Sequence, residues 1–157
     1  MTSVLFVCLG NICRSPTAES VLKTRAKAAG LDLRIDSAGT GGWHKGEPPD
    51  ARAMAEGERR GYSFEGQSSR KVENFDFGSF DYILAMDHKN IADLKSVCPA
   101  GFAHKLELFL DYTPRTQTRE VPDPYYGGPD GFVQVVDLIE AASDGLIAHI
   151  KAQPSKG

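Results

Sequence analysis

The sequence predicts an α/β fold, a parallel sheet covered by helices on both faces, and three observations carry that expectation. Short apolar runs alternate along the chain with stretches of helical periodicity, the order that right-handed strand–helix–strand crossovers require. The leading run, Val4-Leu5-Phe6-Val7, is apolar without interruption, as in a strand buried on both faces. The 157 residues are 41% hydrophobic and 25% charged, ordinary values for one globular domain with a full core.

The elements follow in order. Residues 4–7 form the first strand, which ends at Cys8. Gly10 and Asn11 tolerate a positive φ, which suits a tight loop. Ser15 and Pro16 have the character of an N-cap and a first helical residue, and Glu19 falls in the first turns. Val21, Leu22, Ala26 and Ala29 recur at helical spacing until Gly30 stops the helix. Residues 31–36 alternate as in an edge strand, and residues 37–47 are a glycine-rich loop holding the only tryptophan, Trp43. Pro49 and Asp50 open a helix that runs to Arg60 and is closed by Gly61. Residues 80–86 are the third strand, 87–97 a short helix with Ile91 and Leu94 on one face, and 106–110 a fourth strand. A long loop with prolines at 122, 124 and 129 covers residues 115–130, and the last helix spans 131–151. Residues 152–157 are a frayed tail, so the whole of 1–157 is expected to be one domain.

Composition excludes several classes. A net charge of −3 and a pI near 5.8 argue against a nucleic-acid binder. No segment approaches membrane-spanning length, and the N-terminal apolar run lacks the basic flank of a secretory signal. Three cysteines make no disulfide framework, so a reducing cytoplasm is the expected setting. The four histidines, His44, His88, His104 and His149, lack metal-ligand spacing. They are taken as ordinary surface or core residues, and no metal is expected.

The chemistry concentrates at Cys8-Leu9-Gly10-Asn11-Ile12-Cys13-Arg14-Ser15-Pro16. Cys-x5-Arg alone is weak, arising by chance in about one sequence in seven with this many cysteines, so its context matters. Strand, tight loop and helix start gather a thiol, a positive charge and several backbone N–H groups around one cavity. Such a cavity suits a tetrahedral oxyanion with a nucleophile at its floor. Ligands of parallel sheets bind beyond the carboxyl ends of the strands, where Cys8 lies.

That segment, together with Asp36-Ser37-Ala38-Gly39-Thr40, Trp43-His44, Asp81-Tyr82-Ile83-Leu84-Ala85-Met86-Asp87 and Asp123-Pro124-Tyr125-Tyr126-Gly127, resembles the low-molecular-weight protein tyrosine phosphatases, in order and over nearly the whole chain. The resemblance implies a three-layer flavodoxin-like fold with a four-stranded parallel sheet in the order 2-1-3-4. It implies a cofactor-free phosphomonoesterase that acts on phosphotyrosine proteins and aryl phosphates through a cysteinyl-phosphate. Cys8 becomes the nucleophile, Arg14 the phosphate clamp and Asp123 the general acid. Leu9, Gly10, Asn11, Ile12, Cys13 and Ser15 form and hold the loop around phosphate or another oxyanion. Trp43, Tyr125 and, less directly, Tyr126 wall the cavity. The expected partners are phosphotyrosine proteins, with no nucleic acid and no membrane, and the chain is expected to be a monomer or to self-associate weakly.

The chemistry wants these residue types. Unaided hydrolysis of a phosphate monoester is extremely slow, and a thiolate divides it into two displacements. Loop N–H groups, the helix N-terminus, Arg14 and the Ser15 hydroxyl would all favour that thiolate. Arginine offers two phosphate oxygens a planar fork that lysine lacks. Asp123 lies between Pro122 and Pro124, which stiffen its loop. A departing tyrosinate, whose phenol has a pKa near 10, needs a proton from such a carboxyl. Deep aromatic walls would select phosphotyrosine over the shorter phosphoserine. Cys13 shares the loop with Cys8 and could serve as a reversible redox partner, while Cys98 is incidental. The family often carries a histidine where this chain has Gln67, tethering the loop asparagine; glutamine can still donate a hydrogen bond.

Competing readings fit less well. Thioredoxin-coupled arsenate reductases need a cysteine just after the third strand, where this chain has Ala85-Met86-Asp87. Protein-arginine phosphatases usually carry threonine at the position of Ile12. A non-catalytic phosphate-binding module would lack the thiol, the arginine or the acid, and all three are present.

Overall fold

The computed structural model describes residues 1–113, 118–125 and 127–153. Its sheet is parallel throughout. β1 (Thr2–Cys8) lies between β2 (Leu33–Gly39) and β3 (Tyr82–Ala85), and β4 (Leu106–Leu108) pairs with β3, giving the order β2-β1-β3-β4. This is the expected order, and β2 is the expected edge.

Helices cover both faces. α1 (Arg14–Ala28) and α5 (Pro129–Ala152) pack on the face carrying Val4, Phe6 and Cys8, where Phe6 meets the Phe109 ring at 4.8 Å. α3 (Asp76–Ser79) and α4 (His88–Val97) cover the opposite face, where Leu5 and Val7 meet Phe77 and Leu94. Alternate residues of a strand point to opposite faces. With both faces covered, every position from Val4 to Val7 is fully buried, which explains the uninterrupted apolar run. α2 (Ala51–Arg59) packs against α1 and α5.

Several boundaries differ from expectation. β2 continues to Gly39, because the segment after Ser69 shields its end: Gly39 N–H donates to Arg70 O and Val72 N–H to Gly39 O. A Cβ on Gly39 would lie 2.8 Å from Leu9 O, so only glycine allows that loop so close. α3 was not expected; four residues are too few for a periodicity. Its carboxylate Asp76 accepts from the Glu73 N–H at 2.7 Å, a local bond that starts the turn. β3 is shorter than residues 80–86; just before it, the Asp81 carboxylate accepts from the Ser3 N–H at 2.9 Å and the Asp81 N–H donates to Ser3 O at 3.1 Å. The fourth strand stops at Leu108, and Phe109–Tyr112 tighten into a 3₁₀ turn. α5 begins at Pro129, a favoured first helical residue, two positions before expectation. The last four residues of the expected frayed tail, 154–157, lie outside the described residues, as do 114–117.

Candidate active site

β1 delivers Cys8 to the carboxyl edge of the sheet, and six residues later α1 begins. The intervening loop is turned so that its carbonyls face outward. Cys8 O accepts from Thr40 N, Leu9 O from Gly41 N and Ile12 O from Asp50 N, at 2.9, 2.9 and 2.7 Å. Gly10 O accepts from Ser69 Oγ, and Cys13 O from the Thr17 hydroxyl. Among the described residues, no protein acceptor takes the amides of Leu9 to Cys13. Five N–H groups are left available to an anion.

Asn11 forces this turn. Its φ is +56°, the one positive value of any non-glycine residue described, and asparagine tolerates it. Its buried amide donates to Ser15 Oγ at 2.8 Å and to Ser37 Oγ at 3.0 Å, and its oxygen accepts from Arg70 N. Ser15 Oγ lies 3.0 Å from Cys8 Sγ. This corrects the N-cap expected of Ser15. α1 starts at Arg14, its N-cap Cys13 has no capping side chain, and the Ser15 hydroxyl is turned inward toward the thiol.

Arg14 is almost wholly buried. Its Nη1 donates to Asp87 Oδ2 at 2.6 Å and to Val121 O at 3.0 Å, and its Nη2 lies 3.7 Å from Asp123 Oδ2. Burial works against its charge, but Cys8 and the hydrogen bond to Asp87 outweigh that and hold its pKa above the ordinary value. Asp87 also caps α4, accepting from Asn90 N. Asp123 Oδ1 accepts from Tyr125 N at 3.0 Å, a short-range bond that fixes the carboxyl at the cavity mouth, where its side chain is 41% exposed.

The resulting cavity, about 400 Å³, is lined by Cys8, Leu9, Gly10, Ile12, Cys13, Arg14, Trp43, His44, Asp123 and Tyr125. Of the residues expected at the site, Asn11 and Ser15 lie buried beneath the loop and not on its surface. Tyr126 falls outside the described residues. Trp43 is a rim and not a deep wall: it is 72% exposed, and its ring occupies the space a Gly41 side chain would need. Tyr125 is half-buried against Ile12, Cys13 and Phe132, with the Arg52 guanidinium 5.4 Å from its ring.

Three features escaped the sequence. His44, taken there as an ordinary histidine, lines the cavity and pairs with Glu47; its place beside Trp43 in a matched segment was the available signal. Asp87 stood as a helix start and as the end of a matched segment but was given no role at the site, although an acid at the carboxyl end of a strand is well placed for one. The third is the tether of Asn11. Gln67 does not make it: its amide donates to Pro16 O and Ser20 Oγ on α1, and the Arg70 backbone holds Asn11 instead.

Cys13 is buried beside Cys8. Burial, then the nearby charges of Asp50, Cys8 and Asp123, push its thiol up to about 12. Cys8, Cys13 and Cys98 are all free thiols.

Residues 3–156 match the family described as low molecular weight phosphotyrosine protein phosphatase. A low-molecular-weight protein-tyrosine-phosphatase of Bacillus subtilis, YfkJ, is 45% identical, covering 98% of each chain. A low-molecular-weight phosphotyrosine protein phosphatase of Schizosaccharomyces pombe is 46% identical over 86% of this chain and 90% of its own. The crystal structure of a protein tyrosine phosphatase from Entamoeba histolytica superposes with a TM-score of 0.93 at 43% identity, covering 96% of this chain and 97% of that one.

Proposed function

Since the chain belongs to the low-molecular-weight phosphotyrosine protein phosphatase family, we propose that Cys8, Arg14 and Asp123 carry its reaction, the hydrolysis of protein phosphotyrosine through a cysteinyl-phosphate. The observation that carries this reading is the unclaimed row of amides from Leu9 to Cys13, closed at one end by the Cys8 thiol and at the other by the Arg14 guanidinium.

In the first displacement the Cys8 thiolate attacks phosphorus, and the phosphorus–oxygen bond to the tyrosine ring breaks. Its electron pair leaves on the phenolic oxygen, which takes a proton from the Asp123 carboxyl. The loop amides and Arg14 hold the three equatorial oxygens, where charge is spread in the transition state. In the second, Asp123, now a carboxylate, accepts a proton from water as that water attacks phosphorus. The sulfur–phosphorus bond breaks, thiolate returns and phosphate leaves. The Ser15 hydroxyl, 3.0 Å from Cys8 Sγ, is placed to donate to the sulfur anion in both states. Trp43 and Tyr125 flank the ring of the substrate.

The chain acts as a single phosphatase domain, a cytoplasmic monomer or weak self-associate without a nucleic-acid partner; its acidic balance and three free thiols support that setting. Among the described residues, no helix is long and apolar enough to cross a membrane.

The test is Cys8→Ser. It should abolish metal-free cleavage of para-nitrophenyl phosphate and of phosphotyrosine while vanadate still binds, because the amides and Arg14 remain. Substantial remaining turnover would falsify the nucleophile assignment. Arsenate reduction by the wild-type protein would replace the reading altogether.

A further inference from the structure

Beside the phosphate cavity runs a second, larger groove of about 840 Å³. The two share Leu9 and Trp43, so the exposed Trp43 ring is the divide between them. Phe77, fully buried, forms part of the groove's floor, and Val97, 56% exposed, part of its rim. Apart from Met1, the large hydrophobic side chains left exposed on the described residues are Trp43, Val97 and Phe75. The first two line this groove, and the third follows Asn74, which also lines it. Apolar surface gathered in one place marks a contact site more than scattered exposure does.

The polar groups of the groove point to the same use. The Thr40 hydroxyl oxygen is buried at the groove without a hydrogen-bond partner. Lys89 is neutralised by Asp93 at 2.8 Å, while Lys71 and Glu73, of opposite sign, have no ion-pair partner among the described residues. The lining therefore carries no net charge and favours a neutral, apolar segment over an acidic or basic run.

We propose that this groove seats the polypeptide flanking the phosphotyrosine, with an apolar side chain of the substrate resting on Phe77 and Val97. The inference rests on the phosphotyrosine reading of the cavity. A chain whose phosphotyrosine ring enters past Trp43 can run on across that rim, and the groove begins on its other side. The small phosphate cavity selects the modified residue, and the groove selects the sequence around it.

The experiment compares kcat/KM for a phosphotyrosine peptide with leucines on both sides of the phosphotyrosine, for free phosphotyrosine and for para-nitrophenyl phosphate. Val97→Glu puts a charge on the exposed rim, away from the catalytic groups. It should lower kcat/KM for the peptide about ten-fold, the scale of one apolar contact in a specificity pocket. The two small substrates should be unchanged, and Val97→Leu should retain peptide activity. A peptide rate that is unaltered, or that falls in parallel with the small substrates, overturns the groove assignment. Failure of the wild-type protein to cleave any of the three would instead overturn the reading of the cavity.

Discussion

Asp76 grips Arg70 through both guanidinium nitrogens, at 2.9 and 3.0 Å, although Asp76 has no contact with solvent. The consequence reaches the phosphate loop, because the Arg70 backbone N–H holds the Asn11 side chain at 3.0 Å, and Asn11 in turn bonds Ser15 beneath the thiol. A buried carboxylate on α3 is thus connected to Cys8 through the residue that keeps the loop in its positive-φ turn.

Asp76→Ala should therefore loosen the loop as well as the fold. Removing one partner of a buried pair typically costs about 3–5 kcal/mol; Asp36, 3.1 Å from Arg70, gives the guanidinium a second partner and should reduce the cost to about 2–4 kcal/mol. Urea denaturation measures that loss. Vanadate affinity, measured where the variant is fully folded, should fall as well; an unchanged affinity would confine Asp76 to a structural role.

Asp87 holds Arg14 and caps α4 with different oxygens, so two variants separate the roles. Asp87→Asn keeps a capping oxygen but loses the charge. It should weaken phosphate binding about ten-fold, the worth of a charge-assisted hydrogen bond, and lower Tm as well, because the buried Arg14 loses its charged partner. Asp87→Ala should add about 1 kcal/mol of destabilisation from the lost cap. Phosphate binding unchanged in Asp87→Asn and weakened only in Asp87→Ala would mean that Asp87 acts only through the helix.

Asp123→Ala should slow cysteinyl-phosphate formation from phosphotyrosine by about 10²- to 10⁴-fold, the range for a lost general acid. The loss should shrink as the leaving phenol becomes more acidic, and phosphate affinity should hardly move. Single-turnover rates across aryl phosphates of graded phenol pKa give the answer. An equal slowing of every member would make Asp123 a shaper of its loop and send the search for the acid elsewhere.

Cys13 offers a pH test. Its thiol is pushed from an ordinary value of 9.0 up to about 12, so the folded protein keeps a proton there that the unfolded chain releases. The folded state binds more protons between those values, and stability must fall as pH rises through that window. The Tm advantage of wild type over Cys13→Ser should shrink from pH 9 upward; a constant difference would remove the linkage.

The same neutral, buried thiol should escape iodoacetamide at pH 8 while Cys8 is alkylated. After peroxide treatment, wild type should regain activity with added thiol through a Cys8–Cys13 disulfide, and Cys13→Ser should recover poorly. Equal recovery would show that Cys13 is not the resolving thiol.

What the sequence determined by itself was local. An apolar run, two residues tolerant of positive φ and a helix start lie within a dozen positions, so Cys8 and Arg14 could be assigned to opposite ends of one loop. The alternation of strands and helices was legible for the same reason: periodicity is a property of neighbours. Asp123 was legible only through the matched segment around it, since an aspartate between prolines is otherwise a turn. Tertiary structure decided which groups complete the site. Arg14 meets Asp87 and Val121 across separations of 73 and 107 positions, and Asn11 is held by Ser37 and by Arg70. It also turned the Ser15 hydroxyl from a cap into a partner of the thiol and gave Gln67 to α1. A buried hydrogen-bonding group takes whichever partner the packed backbone brings within about 3 Å. Residue type and spacing do not encode that choice when the partners come from different strands and loops.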